Sequence, residues 1–269
     1  MIDEALPYLR CPVCERTLSR GDGERTLRCP RGHSFDIARP GYVNLTRGGT
    51  PHSGDSAEMI EARAAFLAAG HYAVIADALC AAAAGVAGPV VDAGTGTGWY
   101  LARVLDETGS IGIGVDVAKP ALRRAARAHP RAAAVLADLW QPLPLVTGAA
   151  GLILNVFAPR NGPEFHRILR PDGRLLVVTP AAGHLHELIA TYPMIRVDPD
   201  KAGRVSGSLG GHFAAVRTAT HRTRLTLTGD ELRALVGMTP SARHVDVAAL
   251  PATTTDVTVA VDLTEYRPA

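Results

Sequence analysis

The chain has 269 residues, and its 47% hydrophobic and 20% charged composition is typical of a soluble globular protein. Its formal net charge of +2 does not by itself indicate a nucleic-acid-binding protein. No stretch approaches the roughly 18 uninterrupted apolar residues of a membrane span, and no signal peptide is recognisable. We therefore expect a cytoplasmic protein with reduced thiols and no membrane partner.

The first predicted element is a small metal-binding module. Its candidate ligands, spaced x2, x14 and x3 apart, are Cys11, Cys14, Cys29 and His33. CPVC and CPRGH have the form of metal knuckles, and Cys3His is a standard closed zinc set. The alternative is a redox or buried-thiol role, and four ligands at this spacing favour the metal over it. SRGDGERTLR between the knuckles predicts a hairpin turn and a strand, so the module resembles a zinc ribbon with a structural metal.

A Gly- and Pro-rich linker, ARPGYVNLTRGGTPHSGD, precedes two predicted helices. The first has Asp55 as its N-cap with Glu58 three residues later, and Gly70 ends it. The second, nearly all Ala, Val, Ile and Leu, is expected over about 72–84. Cys80 within it has no neighbouring cysteine and is expected to be a small buried residue.

The segment PVVDAGTGTGWYL predicts a short buried strand that turns tightly into a helix near Trp99. Gly94, Gly96 and Gly98 would let the backbone approach a ligand closely. A dinucleotide-binding fingerprint would need glycine at position 99, so Trp99 argues against a nicotinamide cofactor. The pattern D-x-G-x-G-x-G instead resembles motif I of class I S-adenosylmethionine-dependent methyltransferases.

Further strands follow the glycine loop. IGIGVDV predicts a second strand ending in Asp116, and RAAAVLADL a third, which Asp138 and Leu139 terminate. GLILNVFAP predicts a fourth strand with Asn155 at its tip, and LRPDGRLLVVTP a helix end, a turn and a fifth strand. An acid after the second strand can accept ribose hydroxyls, and an adenine edge would lie at the end of the third. Strands alternating with helices predict a doubly wound parallel α/β sheet.

Beyond position 180 the pattern is less regular. AVRTATHRTRLTL predicts a solvated edge strand, and TTTDVTVAVDLTEY a final strand. LTGDELRALVGM predicts a helix capped by Thr228 or Asp230. The basic run KPALRRAARAHPR fits a phosphate-facing patch and a solvated helix face equally well.

Several motifs together resemble one known family. They are the four-ligand module, GDSAEMIEARAAFLAAGHY, DAGTGTGWY, NVFAP and LVGMTPSAR, distributed over about residues 5–265. The combination is similar to the RlmA family of 23S ribosomal RNA guanine-N1 methyltransferases, in its Gram-positive branch, which includes the actinomycete tylosin-resistance enzyme. The resemblance implies a class I methyltransferase sheet with an N-terminal zinc ribbon, S-adenosylmethionine and zinc as cofactors, a 23S ribosomal RNA hairpin as substrate, and tylosin-type macrolide resistance.

With the strand-end residues above, the resemblance also gives a site and a domain division. The predicted cofactor contacts are Tyr72, Gly94, Thr95, Gly96, Gly98, Trp99, Asp116, Asp138, Leu139 and His184. Residues 1–45 would form the zinc-binding, RNA-recognising module, 46–88 a linker and helical segment, and 89–269 the methyltransferase domain. The oligomeric state stays open, with a homodimer among the alternatives.

The expected chemistry is an in-line displacement in which positioning supplies much of the rate. Guanine N1 carries a proton that must be accepted, and it is paired in a duplex, so the target must be unpaired or flipped. Asn155 is the candidate for orienting the base; Asp138, His184, water or the RNA could take the proton. Arginines of the zinc module would contact phosphates, namely Arg16, Arg20, Arg25 and Arg28.

Three other function classes compete with this interpretation. A small-molecule methyltransferase is the closest alternative, and only its substrate distinguishes it. A zinc-dependent RNA-binding protein without catalysis would bind no methyl donor. A dehydrogenase is the third, and Trp99 argues against it.

Overall fold

The structure is a computed structural model and describes residues 2–21, 25–48, 52–194 and 207–269. The α-helices whose bounds lie within these residues are α1 (Ile2–Ala5), α2 (Ala57–Ala68), α3 (Ala73–Ala83), α4 (Trp99–Thr108), α5 (Lys119–Ala125), α6 (Gly162–Ile168), α7 (His186–Thr191) and α8 (Gly229–Gly237). The strands are β1 (Ser19–Arg20), β2 (Thr26–Arg28), β3 (Ser34–Asp36), β4 (Val43–Asn44), β5 (Val90–Ala93), β6 (Gly112–Asp116), β7 (Ala132–Leu136), β8 (Ala150–Val156), β9 (Leu169–Pro180), β10 (Phe213–Leu227) and β11 (Thr255–Pro268).

Eight of the strands form one central sheet in the order β10-β11-β9-β8-β5-β6-β7-β4. The strands from β4 to β9 pair in parallel, and β11 runs antiparallel to both β9 and β10. The chain adds β6 and β7 on one side of β5 and then crosses to place β8 on the other side. This reversal is the topological switch point at which doubly wound sheets bind ligands. The predicted α/β class is confirmed.

Both faces of the sheet are covered, and β5, β7 and β8 are accordingly buried along their whole length. On one face, side chains such as Ile153 and Val177 pack against α6 and the N-terminal module. On the other face, Leu152 and Leu176 belong to a second core with apolar residues of α2, α3, α4 and α8. The sheet therefore lies between two hydrophobic layers, and its strand ends are left to form a crevice.

The N-terminal module is a three-stranded antiparallel sheet, β1-β2-β3. The turn expected between β1 and β2 falls mainly at 22–24, outside the described residues. Its buried Leu27 and Cys29 share one core with the central sheet, and β4 pairs with β7 at the sheet edge. The boundaries 1–45, 46–88 and 89–269 stay predictions; the shared core means that the module is packed onto the sheet.

Two local predictions need correction, and one alternative is decided. The N-cap of α2 is Ser56, whose hydroxyl accepts the Met59 N–H at 3.3 Å, whereas Asp55 pairs with Arg63. LRPDGRLLVVTP forms the single strand β9, since α6 already ends at Ile168. Thr228, and not Asp230, caps α8 in a capping box with Glu231.

The edge position of β10 is confirmed. Within the described ranges, no single helix is long and apolar enough to cross a membrane. In the same ranges, α2 and α3 taken together reach that length and composition, but they are bent by 77° relative to each other.

Candidate functional site

The predicted metal ligands come together in the N-terminal module. The ligand atoms of Cys11, Cys14, Cys29 and His33 all lie within 4.8 Å of one another. The Sγ atoms of Cys14 and Cys29 are 3.6 Å apart, and Cys29 Sγ lies 3.3 Å from Nδ1 of His33. A Zn–S bond of about 2.3 Å in a tetrahedron separates two sulfurs by about 3.8 Å, so the cluster has the dimensions of a zinc site.

Backbone geometry of the two knuckles fixes these ligands. The Cys11 N–H donates to the Arg16 carbonyl at 2.8 Å, and the Gly32 N–H donates to the Cys29 carbonyl at 2.9 Å. Burial opposes ionisation of Cys29, but hydrogen bonds from the N–H groups of Arg31 and His33 lower its pKa to about 6. Burial raises the pKa of Cys11. Cys29 is therefore prepared as the thiolate that a metal requires.

A cavity of about 920 Å³ opens at the carboxyl ends of the central strands. Residues that follow β5, β6, β7 and β8 all line it, so it occupies the switch point of the sheet. Its walls also include the segment 52–55, residues of α2, and residues 238–241, which follow α8. The volume falls within the range of small-molecule and cofactor sites.

The glycine loop forms the floor of this cavity. Gly94 and Gly96 line it, and both have positive φ, of 88° and 53°. A Cβ on Gly94 would lie 2.4 Å from the Cβ of Ala158, so only glycine permits this contact between the loops after β5 and β8. Thr95 also lines the cavity, and its hydroxyl donates to buried Asp92 at 2.8 Å.

Asp116 lies at the end of β6 and lines the same cavity. Its two carboxylate oxygens accept the backbone N–H groups of Gly96 and Ala118, each at 2.8 Å. Burial raises its pKa. Each oxygen retains a further lone pair, which can accept a ligand hydroxyl.

Asp138 and Leu139, two and three residues beyond β7, also line the cavity. The Asp138 carboxylate lies 2.7 Å from Nδ1 of His52 and also accepts the backbone N–H groups of His52 and Trp140. Burial opposes its ionisation, but these hydrogen bonds outweigh burial and lower its pKa. Trp140 is 52% exposed and lines the cavity as well.

Tyr72 and His184 line the cavity from the face covered by α2 and α3. Nδ1 of His184 accepts the Ala260 N–H at 3.2 Å, so the neutral ring carries its proton on Nε2. Phe157, beyond the end of β8, lies between the two, with ring centroids 6.3 Å from Tyr72 and 6.2 Å from His184.

Three of the predicted site residues are absent from the described residues that line the cavity. Gly98 faces α5, because a Cβ there would lie 3.0 Å from Cα of Ala125. Trp99 stacks edge-on against Tyr100, with centroids 5.0 Å apart. Asn155 is fully buried and its Nδ2 donates to the carbonyls of Ala93 and Pro159, at 3.1 and 2.9 Å. Its Nδ2 therefore holds the loop after β8 to the end of β5, while its Oδ1 is buried and has no hydrogen-bond partner in the described part of the chain.

Arg63 and Tyr100 line the cavity although neither was among the predicted contacts. Nη2 of Arg63 is 2.7 Å from Asp55 and donates to the Met238 carbonyl at 3.0 Å. The Tyr100 hydroxyl is buried and has no hydrogen-bond partner in the described part of the chain. Asp55 and Arg63 belong to the motif GD-x2-EM-x2-AR, which was the sequence signal for them.

Comparisons with known proteins agree with this arrangement. The zinc-ribbon family model described as RlmA, N-terminal, matches residues 9–46. The chain is 54% identical over 294 positions to a putative 23S rRNA (guanine-N(1)-)-methyltransferase of Micromonospora griseorubida, covering 100% of both. It is 50% identical over 274 positions to the 23S rRNA (guanine(748)-N(1))-methyltransferase of Streptomyces fradiae, covering 97% of both.

Similarity to a solved structure supports the fold alone. The YcgJ protein of Bacillus subtilis superimposes with a TM-score of 0.50 at 16% identity, covering 73% of this chain and 98% of that one.

Proposed function

Because the chain belongs to the family of 23S ribosomal RNA (guanine-N1)-methyltransferases, we propose that it methylates N1 of one guanine in a 23S ribosomal RNA hairpin. The methyl donor is S-adenosylmethionine. The observation that carries the proposal is the cavity at the switch point, bounded by the glycine loop and Asp116. Tylosin-type macrolide resistance is the cellular role that we infer, and we propose the cytoplasm as the place of action because the proposed substrate is ribosomal RNA. A homodimer stays a prediction, which light scattering tests.

The cavity fits the methyl donor in size and in chemistry. Asp116 accepts the ribose hydroxyls, and Asp138 and Leu139 bind the adenine end. The loop from Gly94 to Gly96 approaches the amino-acid end. The unpartnered Tyr100 hydroxyl gives this wall a polar group that a bound ligand would satisfy. When bound, S-adenosylmethionine supplies a sulfonium-activated methyl group.

Zinc fits the second site. Three thiols and one imidazole within 4.8 Å of one another match a closed Cys3His set, which leaves no position for a catalytic water. The metal would therefore hold the module in shape. Because Cys11 and Cys29 belong to the core shared with the sheet, it would also stabilise the packing of the module onto the sheet.

The zinc module lies beside the cavity, which supports its role in RNA recognition. The segment after β7 lines the cavity at Asp138. A few residues later the same segment forms two backbone hydrogen bonds with the module. The Arg10 N–H donates to the Pro144 carbonyl and the Val146 N–H to the Tyr8 carbonyl, both at 3.0 Å. One RNA hairpin could therefore contact the module while its flipped guanine enters the cavity.

Of the four arginines expected to contact phosphate, two are engaged within the module. Arg20 pairs with Asp3, and Arg25 donates to the Ile37 and Ala38 carbonyls. All four arginines are exposed. We assign phosphate contact first to Arg16, whose side chain makes no such contact in the described part of the chain.

The contacts of His184 argue against a general-base role. Its Nδ1 already accepts the Ala260 N–H, so the neutral ring has no lone pair for the guanine N1 proton. The lowered pKa of Asp138 makes that carboxylate a weak base. We therefore assign the proton to water that enters the open cavity, while the chain positions the two substrates.

The test incubates purified protein with transcripts covering 23S ribosomal RNA and methyl-labelled donor. N1-methylguanine is read as a reverse-transcription stop and by mass mapping. Gly96→Val is the negative control, because its side chain would require φ of 53° and approach Arg63. Transfer to a small metabolite, with none to any ribosomal RNA fragment, would replace this function with that of a small-molecule methyltransferase.

A further inference from the structure

Two exposed aromatic residues stand at the mouth of the cavity. Among the described residues, the exposed large apolar side chains are Val13, Trp140, Phe157 and Val216. Of these, Trp140 and Phe157 line the cavity, and Phe157 is 41% exposed. A large apolar ring left open at a ligand cavity indicates a surface that a partner covers.

The backbone holds Phe157 in an unfavourable conformation. Its φ is 53°, in the left-handed region that bulky residues rarely adopt. Two contacts impose this geometry: the Phe157 N–H donates to the Val178 carbonyl at 3.1 Å, and Asn155 Nδ2 donates to the Pro159 carbonyl at 2.9 Å. A strained residue held by its surroundings at a ligand cavity is a candidate for function.

The strand order separates Phe157 from the adenine end of the donor. Phe157 follows β8, whereas Asp138 follows β7, and β5 and β6 lie between them. Three strand spacings of about 4.8 Å put these strand ends about 14 Å apart. Phe157 also lies next to Ala158, which contacts Gly94 of the glycine loop. The loops after β8 and β7 meet further on, where Asn161 Nδ2 donates to the Leu139 carbonyl at 2.8 Å. Phe157 itself lies on the β8 side of the cavity, and there we place the entry of the acceptor.

We propose that the Phe157 ring stacks on the flipped target guanine and holds its N1 edge toward the methyl donor. This rests on the proposed function and identifies a residue that positions the acceptor. Stacking on an aromatic ring is how proteins hold splayed RNA bases, since every base has a flat π face. The strained turn fixes the ring before RNA arrives, which reduces the ordering needed on binding.

The test compares Phe157→Leu, which keeps an apolar side chain without a ring, with Phe157→Trp, which restores one. For the hairpin, Phe157→Leu should lower kcat/KM about 10- to 100-fold, the range expected for one lost base stack, and Phe157→Trp should recover most of it. Both should bind S-adenosylhomocysteine as the wild type does. Val216→Ala is the matched control, because Val216 is an exposed apolar residue on the edge strand β10.

A second readout uses a hairpin with 2-aminopurine at the target position. Its fluorescence, quenched when stacked, should be brighter in the complex with Phe157→Leu than with the wild type. Unchanged kcat/KM in Phe157→Leu overturns the proposal. A matching loss of S-adenosylhomocysteine affinity also overturns it, because Phe157 would then belong to the donor site. A wild-type protein that methylates no RNA contradicts the proposed function itself, which is a distinct outcome.

Discussion

Arg63 and Asp55 form the charged pair expected to bind the amino-acid end of the donor. The guanidinium lies beside the glycine loop, with Nη1 3.3 Å from the position of a Cβ on Gly96. An α-amino acid presents a carboxylate and an ammonium group, which match Arg63 and Asp55. A hydrogen bond to a charged group contributes about 1.5–3 kcal/mol. Arg63→Met should therefore weaken S-adenosylhomocysteine binding roughly 10- to 150-fold.

The assay is calorimetric titration with two ligands. S-adenosylhomocysteine has the amino-acid end and 5′-methylthioadenosine lacks it, so Arg63→Met should lose affinity for the first and keep it for the second. Equal losses for both would show that Arg63 only braces the cavity through its hydrogen bond to Met238. Unchanged affinity for both would refute the assignment. Arg103→Met is the control, since Arg103 forms an exposed pair with Asp77 at 3.4 Å.

Three further predictions concern metal and stability. Cys14→Ser should reduce bound zinc, measured by elemental analysis, and speed amide exchange in the module; full zinc occupancy would contradict the site. Burial raises the pKa of Asp92 from 3.8 to about 7, so its contribution to the free energy of unfolding should fall as pH rises between these values. Asp92→Asn should flatten that part of a pH–stability profile, and an unaltered slope would contradict this. Thr228→Ala should lower the free energy of unfolding by about 1 kcal/mol in urea titration, because it removes the N-cap of α8. An unchanged free energy of unfolding would show that this cap does not stabilise the protein.

Patterns that depend on neighbours in sequence could be predicted well. The zinc cluster follows from spacing within two short turns, and the sheet follows from apolar strands alternating with helices. The glycine loop was placed at the cavity for the same reason. The sequence could not predict whether Gly98 contacts a ligand or a helix. Its contact is with Ala125 of α5, which is distant in sequence and meets Gly98 only in the folded protein.

Polar residues at strand ends were less predictable. Asp116 and Asn155 look equivalent in sequence, yet Asp116 lines the cavity while both Asn155 amide contacts are to backbone carbonyls. The pattern gives the end of a strand but not the rotamer of the side chain there. Phe157 carried no sequence signal for its positive φ, because that conformation is expected at glycine and is imposed here by surrounding hydrogen bonds.

The motif GD-x2-EM-x2-AR acquires a physical explanation from its contacts. A Cβ on Gly54 would lie 2.8 Å from the Cβ of Ala118, so glycine lets the segment 52–55 lie against the start of α5. At its ends, His52 contacts Asp138 and Asp55 pairs with Arg63. This segment follows the zinc module in the chain and forms the outer cavity wall. The first two residues of the motif therefore have separate roles: the glycine permits the close approach to α5, and the aspartate holds Arg63 at the cavity.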